Sequence, residues 1–266
     1  MSNLKILVVD IETAPIMAHV WGLWQQDVSL TQIEKDWHVM AWCAKWFKAA
    51  DGTVYGPHSN LIYRDQRNAK DLTDDKEILK DIRKLLDEAD IVIGQNSKNF
   101  DIKKLNARFI LNGLKPYSKF KHVDTKQIAS KHFAFTSNKL EYLSEKLCTK
   151  HKKSKHAKFF GFNLWLACMA GNKKAWKEME HYNKRDVLAT EELYIKLQPW
   201  DNSINLDLYA DDVMRKCICG STKFNKNGYS YTSTGRFQRY YCANCGAENR
   251  EKVNLLSKEK RKSLRA

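Results

Sequence analysis

A chain of 266 residues has room for one well-buried domain of ordinary size plus a small second unit. With 43% hydrophobic and 29% charged residues it has the profile of a soluble globular protein rather than of a membrane-embedded bundle. No apolar run approaches a membrane span, and MSNLKILVVDIET runs into acids too early for a signal peptide, so a cytoplasmic chain with no membrane partner is expected.

The net charge of +15 and a pI near 9.4 favour a polyanionic partner, since neutralising phosphates releases counterions. Of the seven cysteines, Cys217, Cys219, Cys242 and Cys245 crowd together and point to metal rather than disulfides. Cys43, Cys148 and Cys168 read as ordinary buried thiols.

In chain order, KILVV (5–9) is a continuous apolar run, expected as a buried central strand ending on Asp10. HVMAWCAKWF (38–47) and GTVYG (52–56) read as strands joined by a hairpin-like KAADG. LTDDKEILKDIRKLLDEAD has helical periodicity, with Thr73 as the expected N-cap. IVIG (91–94) is a further strand, and FDIKKLNARFILNG a helix stopped by Gly113. Strands first, then helix and strand alternating, indicate an α/β fold with a sheet of mixed direction.

A lysine-rich middle, KPYSKFKHVDTKQIASKHF to KHKKSKHAKFF, surrounds a helix NKLEYLSEKL with Asn138 as expected cap. Its interleaved Phe133, Phe135, Phe159 and Phe160 suit a nucleic-acid track, aromatics for bases and lysines for phosphates. A solvated, self-repelling surface is the plainer reading. The last long helix is expected over 173–197, closed by QPW, followed by a polar connector and a basic tail SKEKRKSLRA read as disordered or folding only on binding. This divides the chain into 1–200, a linker 201–215, a small module 216–250 and a tail 251–266.

Carboxylates stand out against the basic background. Asp10 and Glu12, two apart on a strand, project to one face at its exit. Asp101 opens a helix just after IVIG, and Asp186 lies on the last long helix. Three segments could thus bring four acids to the carboxyl ends of neighbouring strands, where α/β sheets place their sites. Clustered carboxylates repel one another, and oxygen-only ligands select hard ions such as Mg²⁺ or Mn²⁺. Taken singly, each acid could instead be a strand terminator, a helix cap or a surface ion-pair member.

VVDIETAP, IGQNSKNFDIKKLNAR and YNKRDVLATEELY resemble the three motifs of the DEDD-type 3′→5′ exonucleases, a superfamily with a ribonuclease-H-like fold, over roughly residues 1–200. The resemblance implies Asp10, Glu12, Asp101 and Asp186 as ligands of two Mg²⁺ or Mn²⁺ ions, with Asp10 bridging. Glu12 and Asp186 would serve the water-activating ion and Asp101 the ion near the leaving 3′-oxygen. Asn96 and Phe100 stand where the second motif usually has an asparagine and an aromatic that meet nucleic acid, and Asp124 of HVDTKQIA reads as structural. It implies release of nucleoside 5′-monophosphates from single-stranded DNA or DNA 3′ ends, in a bacterial or phage-infected host cytoplasm. A separate polymerase or replication/recombination protein is a possible partner. An exoribonuclease, a structure-directed endonuclease and a catalytically silent binding module are the alternatives.

The third motif satisfies both subtypes of that superfamily, with His181 five and Tyr182 four residues before Asp186. On an unbroken helix Tyr182 lies about 40° from Asp186 and His181 about 140° away, so tyrosine shares the face of the aspartate. A histidine-type site would need His181 on a loop before the helix, and no glycine or proline interrupts 173–197.

In the C-terminal module, two close cysteine pairs, each second cysteine followed by glycine, fit a zinc ribbon binding one structural Zn²⁺. The first pair is C-x-C, one residue shorter than the usual knuckle. FNKNGYSYT and GRFQRYYC alternate suitably for its strands, and Arg236 and Arg239 among tyrosines would suit nucleic acid. A purely structural or protein-docking ribbon is the other reading.

Overall fold

The computed structural model describes residues 4–153, 158–201, 203–209, 211 and 213–264. Residues 154–157 of the lysine-rich run and the last two of the basic tail lie outside them. The chain forms two compact units, one of Leu4–Lys48 and Val54–Tyr194, the other of Ala49–Thr53 and Ile195–Ala266.

The first unit begins with β1 (Ile6–Thr13), a small ribbon of β2 (Met17–Ala18) and β3 (Ile33–Lys35), then β4 (Val39–Trp46) and β5 (Leu61–Asp65). There follow α1 (Lys76–Glu88), β6 (Ile91–Gly94), α2 (Asp101–Leu111), β7 (Lys121–Asp124), α3 (Thr125–His132), α4 (Leu140–Leu147), α5 (Asn163–Met169) and α6 (Lys173–Leu197). The five-stranded sheet runs β5-β4-β1-β6-β7; β4 is antiparallel to β1 and β5, whereas β1, β6 and β7 are parallel. This is the mixed α/β sheet that the sequence predicts.

Alternation along β1 decides the placing of the site. Leu7, Val9 and Ile11 enter one core with Ile78, Ile82 and Leu86 of α1 and Ile102, Leu105 and Phe109 of α2. Asp10 and Glu12 therefore face the other side, where Trp176, Met179 and Tyr182 of α6 pack with Met40 and Ala41 of β4 and Leu164 and Cys168 of α5. β4 is buried along its whole length, with Trp42 and Trp46 fully enclosed.

Several local expectations are corrected. GTVYG forms only an isolated bridge, Lys48 to Val54, because the β4 edge is taken by β5. Thr73 does not cap α1; Asp75 occupies the N-cap, and Thr73 is held in a turn by Asp71 instead. Lys139 rather than Asn138 precedes α4. β1 does not stop at Asp10 but runs on to Thr13, so both acids are strand residues.

Buried Asp75 ties α1, α2 and β4 together. Its carboxylate receives Arg108 Nε at 2.7 Å and Nη2 at 2.8 Å, the Val39 N–H at 2.9 Å and Asn112 Nδ2 at 3.0 Å. Removing one partner of a buried pair leaves the other charge uncompensated. Asp75→Ala is expected to lower stability by about 3–5 kcal/mol in urea titration. A loss below about 1 kcal/mol would show that Arg108 finds water or another acceptor.

In the second unit β8 (Phe224–Thr232), β9 (Gly235–Cys242) and β10 (Glu248–Arg250) form an antiparallel sheet in the order β10-β9-β8. The tail, expected without structure, carries a short helix α7 (Lys258–Lys262), because the Ser257 hydroxyl caps it by accepting the Lys260 N–H at 3.1 Å.

Candidate active site

The parallel neighbours β1 and β6 pair up to Val8 and Ile93; β1 then runs on to Thr13, and α2 starts from the loop after β6. That loop turns on Asn96, whose φ of 61° is one that asparagine tolerates better than most residues. Asp124, at the end of β7, holds it: its carboxylate accepts the backbone N–H of Asn96 at 2.9 Å and of Lys98 at 3.1 Å, and that of Lys126 at 3.0 Å in α3. Asp124 is thus occupied with backbone.

Asp101 stands at the first turn of α2, buried, and its Oδ1 accepts the Ile11 N–H of β1 at 3.0 Å. α6 runs unbroken through the third acidic segment. Asp186 and Tyr182 are buried on its inner face, whereas His181 is exposed. Carboxylate oxygens of Asp10, Glu12 and Asp186 all lie within 4.8 Å of one another, close enough to hold one metal ion. Asp101 is not in that closest trio, but its charge bears on Asp10 and Glu12.

The electrostatics follow from this crowding. Burial, then the charges of Asp101, Asp186 and Glu12, push the Asp10 carboxyl well above its usual range. Glu12 is pushed up to about 8 by burial and then by Asp186. Asp101 rises to about 7 through burial, against the stabilising Ile11 N–H. A buried, all-oxygen, mutually repelling donor set of this kind fits hard divalent cations.

Three neighbours of the acids escaped the sequence reading. Asn183 Nδ2 donates to Asp10 Oδ2 at 2.6 Å; in the sequence it is one polar residue among apolar ones on a long helix. Trp165 of α5 meets the Tyr182 ring edge-on at 6.0 Å. Lys153 pairs with Asp186 and lies 4.5 Å from the centroid of the Tyr182 ring. Among the twelve lysines of the middle segment no local signal distinguishes it.

Beside the acids, a groove of about 450 Å³ begins at Thr13 and Ile16, just beyond Glu12, and is walled by Trp37, Phe162 and Trp165. Lys104 also lines it, with Nζ 3.7 Å from the Trp37 ring centroid and 5.5 Å from that of Phe100, which is partly exposed. Elsewhere in this unit Phe133 and Phe135 stack at 4.9 Å, and Phe160 is largely exposed while Phe159 packs against the α5–α6 core.

In the second unit the sulfurs of Cys217, Cys219, Cys242 and Cys245 all lie within 4.8 Å of one another, a cluster that could hold a zinc ion. Gly220 and Gly246, at φ 86° and 77°, adopt left-handed turns that a side chain would strain, closing N–H bonds to Cys217 O at 2.8 Å and Cys242 O at 3.0 Å. Burial works against the Cys242 thiolate, but the Cys245 and Asn244 N–H groups outweigh it and hold the thiol down to about 7. Arg236 lies 5.2 Å from the Tyr229 ring and Arg239 5.7 Å from that of Tyr241.

The mixed sheet with acids at the carboxyl ends of its central strands defines a ribonuclease-H-like nuclease fold. A sequence profile of the RNase_H superfamily matches residues 52–198, more than half of the chain, and the chain belongs to that superfamily. The matched stretch contains Asp101, Tyr182 and Asp186, while Asp10 and Glu12 precede it. No curated protein matches the chain. A solved structure with which it aligns is the family B DNA polymerase from the hyperthermophilic archaeon Pyrobaculum calidifontis, at 16% identity and a TM-score of 0.49. The alignment covers 74% of this chain and 25% of the polymerase, so the chain spans about a quarter of that protein. Among the described residues no helix is long and apolar enough to cross a membrane.

Proposed function

We propose that the first unit is a divalent-ion-dependent 3′→5′ exonuclease that releases nucleoside 5′-monophosphates from single-stranded DNA. The observation that carries this reading is the meeting of Asp10, Glu12 and Asp186 from β1 and α6, with Asp101 acting on the same cluster. Two Mg²⁺ or Mn²⁺ ions held by these acids would acidify a water and offset charge on the scissile phosphate. Asp10, at the centre of the cluster, is the residue suited to serve both, and Asn183 fixes its carboxylate by the 2.6 Å bond. The aromatic groove beside Glu12 suits a nucleobase, with Lys104 placed for its phosphate.

Hydrolysis joins the water oxygen to phosphorus and breaks the bond to the 3′-oxygen, which leaves with a proton. Tyr182 orients that water. Burial, then the Asp186 and Glu12 charges, raises its phenol above the ordinary range, so it remains a neutral O–H donor and is no general base. Tyr182→Phe is expected to lower turnover by about 10- to 100-fold, and exposed His181→Ala by less than about twofold. The reverse ranking in single-turnover assays would defeat this assignment.

Residues 216–250 of the second unit are proposed as a ribbon holding one structural Zn²⁺, joined to a nuclease domain of 1–200 through 201–215, with Arg236 and Arg239 offered to nucleic acid. The test of the whole reading is incubation of end-labelled DNA and RNA strands with Mg²⁺ or EDTA, with the 3′ end free or blocked. Release of mononucleotides from free 3′ ends, abolished by EDTA, is expected. Cleavage of 3′-blocked strands would point to an endonuclease, and a gel shift without cleavage to a binding module.

A further inference from the structure

Lys153 is carried to the acidic cluster by a loop fastened to α6 and α4. The backbone from Thr149 to His151 curls round one carboxylate of α6: Glu192 accepts the N–H of Thr149 at 2.7 Å, of Lys150 at 3.1 Å and of His151 at 2.7 Å. Two further bonds extend the fastening. Arg185 Nη2 donates to Lys152 O at 3.2 Å, and the Lys153 N–H donates to Ser144 Oγ of α4 at 3.1 Å. Glu192 and Arg185 share α6 with Asp186, so the loop and the acid it faces are set from one rigid element. The result is an ammonium group paired with Asp186 and lying against the Tyr182 ring, its side chain three-quarters buried.

Charge accounting gives this cation a task. Four carboxylates and two divalent cations cancel. The scissile phosphodiester then brings one negative charge, and its transition state a second, with no countercharge left among those groups. Among the described residues Lys153 is the ammonium paired with a cluster acid. Resting on the exonuclease reading above, we propose that Lys153 contacts the scissile phosphate as a catalytic cation and that Glu192 is the positioning residue that delivers it. The ammonium donates to a non-bridging phosphate oxygen, and its charge is most valuable as negative charge builds there. Glu192 touches no substrate; it holds the loop in the one conformation that aims Lys153 inward.

The test combines Lys153→Ala, Glu192→Ala and the double variant in the full chain, with two readouts. Single-turnover cleavage of end-labelled single-stranded DNA should fall on the order of a hundredfold in Lys153→Ala. It should fall about tenfold in Glu192→Ala, and Glu192→Ala should cost less than about twofold more once Lys153 is gone. Mn²⁺ uptake by the protein without DNA, followed by calorimetry, should tighten by about tenfold in Lys153→Ala, because a neighbouring positive charge has been removed. Glu192→Gln, which keeps one acceptor oxygen, should regain most of the Glu192→Ala loss and guards against misfolding as the cause. Wild-type rates and Mn²⁺ affinity in Lys153→Ala, or a Glu192→Ala loss that multiplies in full on the Lys153→Ala background, overturn the proposal. If the wild-type chain takes up no Mn²⁺, the exonuclease reading itself fails and takes this inference with it.

Discussion

Replacing Asp10 with Asn is expected to stabilise the ion-free protein at alkaline pH while lowering nuclease turnover by about three powers of ten. Both signs come from the same crowding. Burial and the charges of Asp101, Asp186 and Glu12 raise the Asp10 carboxyl, and Glu12 and Asp101 are lifted to about 8 and about 7. A carboxyl raised on folding contributes most below its unfolded value, and that contribution is lost as pH rises through the folded one. In EDTA the wild-type melting temperature should therefore fall as pH goes from about 4.5 to about 8, the window set by Glu12.

Asn at position 10 removes one charge from the cluster, and its amide oxygen still accepts from Asn183, so the fall should be shallower. Added Mn²⁺ should restore the wild type most at high pH, where ions no longer compete with protons, and restore the variant far less. Turnover drops because the central ligand is gone. A variant that is less stable than wild type at about pH 9 in EDTA would show that the acids are not in mutual conflict. The expected pattern is the usual exchange at a functional site, stability given up for a charge arrangement that chemistry needs.

Removing zinc is expected to unfold the ribbon rather than loosen it. Its interior consists of Cys217, Cys219, Cys242 and Ala247, with Ile218, Phe224 and Cys245 around them. So few small side chains bury little apolar area, whereas structural zinc sites contribute roughly 10–16 kcal/mol of binding free energy. Cys217→Ser, or strong chelation, should abolish amide protection along β8, β9 and β10 and leave β1, β4 and β6 protected in hydrogen-exchange mass spectrometry. Protected β9 amides in the zinc-free protein would mean the sheet stands without the metal. The Cys217 thiol, pushed up to about 11 by burial, must release its proton to bind, so affinity should weaken as pH falls.

The parts legible in the sequence are those whose signal is local. β6 is a run of apolar residues buried on both faces, and α6 is an uninterrupted helix that puts Tyr182 and Asp186 on one side and leaves His181 to solvent. Paired cysteines followed by glycine announce a metal cluster, and the short C-x-C spacing still converges because Gly220 closes the turn. β5 and β7 were illegible for a shared reason: they are edge strands. LIYRD is half exposed and KHVD holds one apolar residue, so neither alternates clearly, and both exist because β4 and β6 offer open edges.

Sequence alone determined that acids from separate segments could meet on an α/β sheet, since residue type, order and periodicity are properties of short stretches of chain. Only the tertiary structure decided which groups surround them. Asn183 reaches Asp10 across 173 positions and Ile11 donates to Asp101 across 90, while Lys153 enters because a loop is fastened to a helix whose relevant carboxylate, Glu192, is some forty residues away. Such contacts depend on the direction a side chain takes once strands have paired and helices have packed, and no local pattern encodes that direction.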